Sequence, residues 1–145
     1  MTRLLIVHHT PSPATAELLD SVVSGAQDPE IGGVEVVCRA ALAATASDLL
    51  AADGVILGTP ANIGYMSGAL KHFFDQVFYV CAADTRGLPY GAFVHGNSKQ
   101  LRRRYCAGGW WPGTTERVLF SPAKVSTTRY CYRGAAIPAA WPVTG

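Results

Sequence analysis

Apolar residues in this chain occur in short unbroken runs that alternate with stretches where they recur every third or fourth position. RLLIVHH at 3–9 has the continuous apolar character of a strand covered on both faces. After TPSPAT, the segment AELLDSVVSGA returns Leu18, Leu19, Val22, Val23 and Ala26 at helical spacing, and Gly25 with QDPEIGG closes the helix and makes a turn. VEVVCRA at 34–40 predicts a second strand. SDLLAAD predicts a short helix that Ser47 can cap, with Asp48 in the first turn, where the helix dipole favours a carboxylate. GVILGT at 54–59 predicts the third strand. Residues 66–80 predict a strong helix with Met66, Leu70, Phe73, Phe74 and Val77 on one side. Lys71 and Asp75 on that helix form an i,i+4 surface pair worth about 0.2–0.5 kcal/mol. YGAFVHG at 90–96 predicts a fourth strand.

Strand and helix alternating in this way predict an α/β fold, an open parallel sheet with helices on both faces. Right-handed crossovers leave few topologies. The loops after strands one and three both look specialised, which favours the doubly wound order 2-1-3-4. Ligands in such sheets bind at the carboxyl ends of the strands where the winding reverses, here strands one and three.

The length of 145 residues suits one domain, and a composition 49% hydrophobic suits a globular one. Near the start the longest apolar run is Leu4 to Val7, far too short for a secretory segment or a membrane span, so a cytoplasmic protein is expected. Cys38, Cys81, Cys106 and Cys131 are widely separated with no CxxC pair, which favours neither a zinc site nor a disulfide framework. The net charge of +2 conceals a division. Residues 1–97 hold four basic and nine acidic residues, and residues 98–145 hold eight basic residues against Glu116 alone. All three tryptophans also lie in the second part. The chain therefore reads as two pieces.

Chemistry has two candidate loops in the first piece. HHTPSPATAE presents Thr10, Ser12 and Thr15 immediately before a helix. Hydroxyls and free N–H groups at a helix N-terminus make an anion site without a cationic side chain. Hydrogen bonds to a charged group contribute about 1.5–3 kcal/mol each, so three or four could hold a phosphate dianion. Pro11 and Pro13 lack N–H groups, leaving residues 12, 14 and 15 as donors. An ordinary capped turn, with Ser12 or Thr15 as N-cap, explains the same residues. The loop is neither GxGxxG nor a P-loop, which disfavours a dinucleotide fold and an ATPase.

The second loop follows the third strand. ANIGY offers successive main-chain polar groups, the Asn62 amide, a permissive Gly64 and the aromatic Tyr65. Such a set suits the edge and faces of a planar heteroaromatic ring. Seven residues between an interior strand and a helix is also longer than a plain connection usually is.

GTPANIGYMSGALKHFFD resembles the second flavin-contacting loop of the flavodoxin-like NAD(P)H-dependent FMN and quinone reductases. Their pattern is a small residue and Pro, a variable loop, Gly, Met, Ser or Thr, then Leu-Lys-x-Phe-x-Asp. DLLAADGVILGTP also resembles that family's preceding helix and third strand, and the resemblance covers about residues 3 to 97. It implies a flavodoxin-like sheet and non-covalently bound FMN. Thr10, Ser12, Ala14 and Thr15 would hold the phosphate. Pro60, Ala61, Asn62, Ile63 and Gly64 would line the isoalloxazine edge, and His95, Gly96 and Asn97 would form a third flavin-facing loop. The Pro-rich phosphate loop departs from the Thr-Gly-x-Thr type common in flavodoxins.

The resemblance further implies NAD(P)H as co-substrate and a quinone or similar small molecule as electron acceptor, with no catalytic acid or base. A one-electron flavodoxin shuttle, or a relative that has lost flavin binding, would share the same motifs. The histidines read as structural. His8 and His9 are adjacent on a strand and point to opposite faces, so they cannot chelate together; His9 could border the flavin pocket. His72 lies on the polar side of its helix. A hydrolase elbow of the G-x-S-x-G type is absent.

After Asn97 the family pattern stops, where another helix, a fifth strand and a last helix are due. Residues 98–145 lack a long amphipathic stretch; VLF at 118–120 and KVSTTRYCY could pair as strands at best. This piece reads as a frame-shifted or poorly ordered tail. Arg102, Arg103 and Arg104 with nearby aromatics fit a nucleic-acid tail in principle, but such clusters are usually just solvated, so no nucleic-acid partner is expected. A doubtful fifth strand would leave strand four as an open edge, inviting self-association into a homo-oligomer.

Overall fold

The computed structural model describes residues 1–63 and 65–96, together with the main chain of residues 129–134. Three helices and six strands follow in the order β1 (Thr2–His8), α1 (Pro13–Ala26), β2 (Val34–Ala40), α2 (Ala46–Leu50), β3 (Gly54–Asn62), β4 (Tyr65–Met66), α3 (Gly68–Cys81), β5 (Tyr90–His95) and β6 (Arg129–Gly134). The sheet runs β2-β1-β3-β5-β6, with β4 attached to β3 off that path. Strands β2, β1, β3 and β5 are mutually parallel. The order expected from the sequence is therefore present, and the fold is flavodoxin-like.

Alternation along the strands divides the core. Leu5 and Val7 of β1, Val55 and Leu57 of β3 and Ala92 of β5 share one face, where they meet Leu49 of α2 and Leu70, Phe73, Val77 and Cys81 of α3. These α3 positions recur at three and four residues, which is why this segment is a helix and why that face of it is buried. On the other face Ile6 and Phe93 are buried, and α1 lies against β2, β3 and β5. Leu18, Leu19, Val22 and Val23 of α1 are only half-buried.

Several local expectations are corrected. The short helix is capped by Thr45 rather than Ser47: Thr45 Oγ1 accepts from Asp48 N–H, and the Asp48 carboxylate accepts from Thr45 N–H at 2.9 Å. That reciprocal pair satisfies two N–H groups, and Ser47 stands too late to reach either. Helix α3 begins at Gly68 with Ser67 as N-cap, so Met66 is buried as a strand residue and not as a helical one. The seven-residue loop after β3 is instead a hairpin. β3 continues through Asn62 and turns back into β4, pairing Ala61 with Met66 and Asn62 with Tyr65.

The open edge expected beside β5 is likewise filled. β6 runs antiparallel to it, Tyr90 facing Gly134 and His95 facing Arg129, so a fifth main strand is present after all. Among the described residues the edge strands of the sheet are β2 and β6. Gly64, Asn97, the Arg102–Arg104 cluster, VLF at 118–120 and the remainder of the predicted tail lie outside the described residues. Among the described residues no helix is long and apolar enough to cross a membrane. Lys71 and Asp75 form the expected ion pair on α3.

Candidate functional site

Parallel register brings the ends of β1, β3 and β5 to one edge of the sheet. His8 stands opposite Gly58, and Pro60 stands opposite His95. Beyond β1 the His9 N–H still donates to the Gly58 carbonyl at 2.9 Å, which holds the first loop against β3. The strand order reverses here, since β1 has β2 on one side and β3 on the other. A crevice at such a switch point is where open α/β sheets take ligands.

The first loop ends in a capping box. Ser12 is extended (φ −122°, ψ 156°), and its hydroxyl accepts from Thr15 N–H at 3.3 Å. In return Thr15 Oγ1 accepts from Ser12 N–H at 3.1 Å and donates to Ser12 C=O at 2.8 Å. Thr15 is 1% exposed, so its hydroxyl is built into the turn. The two hydroxyls also lie 3.0 Å apart. Thr10 Oγ1 sits 3.0 Å from His8 Nδ1. All three hydroxyls singled out in the sequence thus have internal partners. The Ala14 N–H, one residue into α1 after Pro13, meets no acceptor among the described residues. Helix α1 also carries no acidic residue in its first turn, unlike α2 with Asp48, so its positive end is uncompensated.

The second loop is held from beneath. Thr59 Oγ1 accepts from Ser67 N–H at 3.0 Å and donates to Pro60 C=O at 2.9 Å. Ser67 Oγ in turn accepts from Leu70 N–H at 3.3 Å, opening α3. Thr59 and Ser67 are both buried. This clip ties the base of the hairpin to the start of the next helix. At the other end, Asn62, Ile63 and Tyr65 are exposed, and Ile63 has a φ of +51°. A β-branched residue rarely adopts that left-handed conformation, so the tip is strained.

His95 and Gly96 follow at the end of β5, both half-buried. The structure therefore brings Thr10, Ser12, Ala14 and Thr15, then Pro60, Ala61, Asn62 and Ile63, then His95 and Gly96 to the same edge. Gly64 and Asn97 lie outside the described residues. Sequence reasoning missed Thr59 and Ser67, whose signal was a polar pair flanking the hairpin. Burial lowers the pKa of His8 from 6.5, and His9 beside it acts in the same direction.

Comparison with known proteins points to one family. A family model described as NADPH-dependent FMN reductase covers residues 10–105, which extends past Asn97. The chain is also 36% identical over 77 residues to a flavodoxin of Aquifex aeolicus (strain VF5), a stretch that is 53% of this chain and 40% of that protein. The matched stretch thus spans less than half the length of that relative. With two thirds of its residues under the family model and its loops at the expected switch point, the chain belongs to the NADPH-dependent FMN reductase family.

Proposed function

We propose that the protein binds FMN at the edge formed by β1, β3 and β5, and works as an oxidoreductase that passes electrons from NAD(P)H to a quinone or another small acceptor. The observation that carries this reading is that the family match, residues 10–105, takes in the loops that leave that edge.

The residues present fit the cofactor. A phosphate needs donors and no competing carboxylate, and the first turn of α1 offers the Ala14 N–H with no acidic neighbour in that turn. Ser12 and Thr15 would trade part of their mutual bonding for contacts to phosphate oxygens. Thr10 would reorient from His8 in the same way. A planar ring needs main-chain polar groups along its rim, and the hairpin at Pro60 to Ile63 supplies them on a base fixed by Thr59 and Ser67. His95, Gly96 and Asn97 would complete the enclosure. When bound, FMN supplies the electron-transfer chemistry, and the chain binds it, orients it and limits water at its ring.

A second reading is a flavodoxin-type carrier without NAD(P)H turnover, favoured by the identity with the Aquifex aeolicus flavodoxin. One experiment orders the two. Purified protein is titrated with FMN while flavin absorbance and fluorescence are followed, then NADPH and NADH oxidation are measured with a quinone present. Saturable binding with acceptor-dependent oxidation supports the reductase; saturable binding without oxidation supports the carrier. Folded protein that leaves the flavin signal unchanged rejects both.

A further inference from the structure

β2 is an edge strand, and its register with β1 runs unbroken from Val34 to Ala40. Successive residues of a strand turn their main-chain N–H and C=O groups to alternate sides. The Thr2 N–H donates to the Gly33 C=O at 3.0 Å, and the Ala41 N–H donates to the His8 C=O at 2.7 Å. Residues 33, 35, 37, 39 and 41 therefore bond toward β1, and Val34, Val36, Cys38 and Ala40 turn their main-chain groups outward. Among the described residues the N–H groups of Val36 and Cys38 meet no acceptor. The Cys38 C=O has only Arg39 Nη1, at 3.5 Å. Such an edge is a template for another strand.

Charge on the same strand selects the occupant. Glu35 and Arg39 are exposed and share one face of β2 with Val37, which stands midway between them. A two-fold axis pairs two copies of one edge strand antiparallel. Centred on Val37, that pairing sets Val36 against Cys38 of the second copy, where their outward groups exchange hydrogen bonds. It also sets Glu35 against Arg39 of the second copy, twice, at non-hydrogen-bonded positions with Cα atoms about 4.5 Å apart, where facing side chains come closest. Moving the centre to Val36 or Cys38 puts Val37 opposite Glu35 or Arg39 and forfeits both charge pairs. Within one copy Arg3 Nε lies 3.7 Å from the Glu35 carboxylate, and Arg39 Nε lies 3.5 Å from that of Asp48. Pairing about Val37 would join these into a line of alternating sign: Arg3 and Glu35 of one copy, then Arg39 and Asp48 of the other.

We propose that the outer edge of β2 is a self-association surface, on which a second copy of this chain adds its own β2 antiparallel about Val37 and continues the sheet. Main-chain hydrogen bonds supply the attachment, and the two Glu35–Arg39 pairs fix the register. A foreign strand would need the same charges in reverse order; a second copy presents them by symmetry.

The test follows the full chain by sedimentation velocity over a concentration series under reducing conditions, beside E35R, R39E and an equimolar mixture of the two. The unaltered chain should form a dimer. E35R sets arginine against arginine across the joint and R39E sets glutamate against glutamate, so each alone should dimerise about 10-fold more weakly or worse. The mixture should associate much as the parent does, since every facing pair between the two variants is of opposite sign. A loss due only to damage within each chain would persist in the mixture. V36P removes an outward N–H and leaves the ladder to β1 intact, so it should abolish the dimer with far-UV circular dichroism unchanged. Should V36P fail to fold, the charge variants still decide. A parent that stays monomeric throughout, a dimer insensitive to both charge changes or to V36P in its folded form, or a mixture no better than its components would overturn the proposal.

Discussion

The ring of Phe93 lies against the backbone of Gly58, so closely that a Cβ on the glycine would stand 2.1 Å from Phe93 Cζ and 2.5 Å from Cε1. The two residues face each other across the β3–β5 ladder, and Gly58 is paired with His8 of β1 on its other side. Its carbonyl also accepts the His9 N–H. β3 is therefore held from both sides at this point, and Phe93 is 1% exposed, with nowhere to turn. The absence of a side chain at residue 58 lets a large aromatic pack directly beneath the edge where the loops meet.

Gly58→Ala should accordingly destabilise the fold by about 1–3 kcal/mol, the usual penalty for overpacking. Urea midpoints would measure it. Phe93→Leu in the Gly58→Ala background should recover part of the loss, because the pair is in contact and their effects are not additive. Additive effects in that cycle would show that the contact does not matter.

Thr59 and Ser67 lead to a second expectation. Thr59→Val keeps the shape of the side chain but leaves the buried Ser67 N–H without its acceptor. The loss should be about 1–3 kcal/mol in denaturant unfolding, with Thr59→Ser close to the parent. Because the same bond anchors the hairpin, flavin affinity should fall in Thr59→Val and hold in Thr59→Ser.

These particulars show which parts of the fold were legible beforehand. The four parallel strands were visible as short apolar runs, and helices α1 and α3 as apolar positions recurring near every 3.6 residues. The hairpin was not. Pro60 reads as a stop for an interior strand, since it has no N–H for a ladder. The parallel pairing with β5 does end at Pro60 and His95, but β3 runs on for two residues by turning to a different partner, β4. Its turn also carries Ile63 where Asn or Asp would have announced a hairpin. Strand β6 overlaps KVSTTRYCY, which was read only as a segment that could pair; its place beside β5 was not legible, because its partner is 34 or more residues away and local pattern says nothing about such pairings. The Thr45 cap was legible in principle, since Thr45 and Asp48 have the spacing of a capping box, and Ser47 drew attention from it. At the candidate site, residue types pointed to the right edge of the sheet. Which of their atoms are already bonded inside the protein is a matter of three-dimensional contact.

His8 should make stability depend on pH. Burial lowers its folded-state pKa from 6.5, with His9 adding to the shift, so the unfolded chain takes up the proton first as the pH falls. Its contribution is fully present above pH 6.5 and is lost as the pH falls below that value toward the folded-state pKa. His8→Asn cannot ionise and retains an acceptor for Thr10. The decline in urea midpoint between pH 8 and pH 5 should be shallower in that variant than in the parent; identical slopes would show that His8 does not couple protonation to folding.

Ala14 allows a test in which stability and binding move in opposite directions. It occupies the first turn of α1, where the N–H groups point toward the candidate phosphate position and no carboxylate is present. Ala14→Glu would place a negative charge at that end of the helix. In the ligand-free protein this is favourable to the helix dipole and should raise stability by about 0.3–1 kcal/mol. With FMN the same carboxylate would confront a phosphate dianion, so affinity should fall, and more steeply at low ionic strength because exposed charges are less screened there. Riboflavin, which lacks the phosphate, should bind much as before. Ala14→Gln has similar bulk and no charge, and separates repulsion from obstruction. If Ala14→Glu and Ala14→Gln weaken FMN equally, the obstacle is size, and the helix end does not act as the anion site. If only the glutamate weakens FMN, and does so while the ligand-free protein becomes harder to unfold, then α1 keeps its first turn free of acid at the expense of its own stability, as an anion-binding helix must.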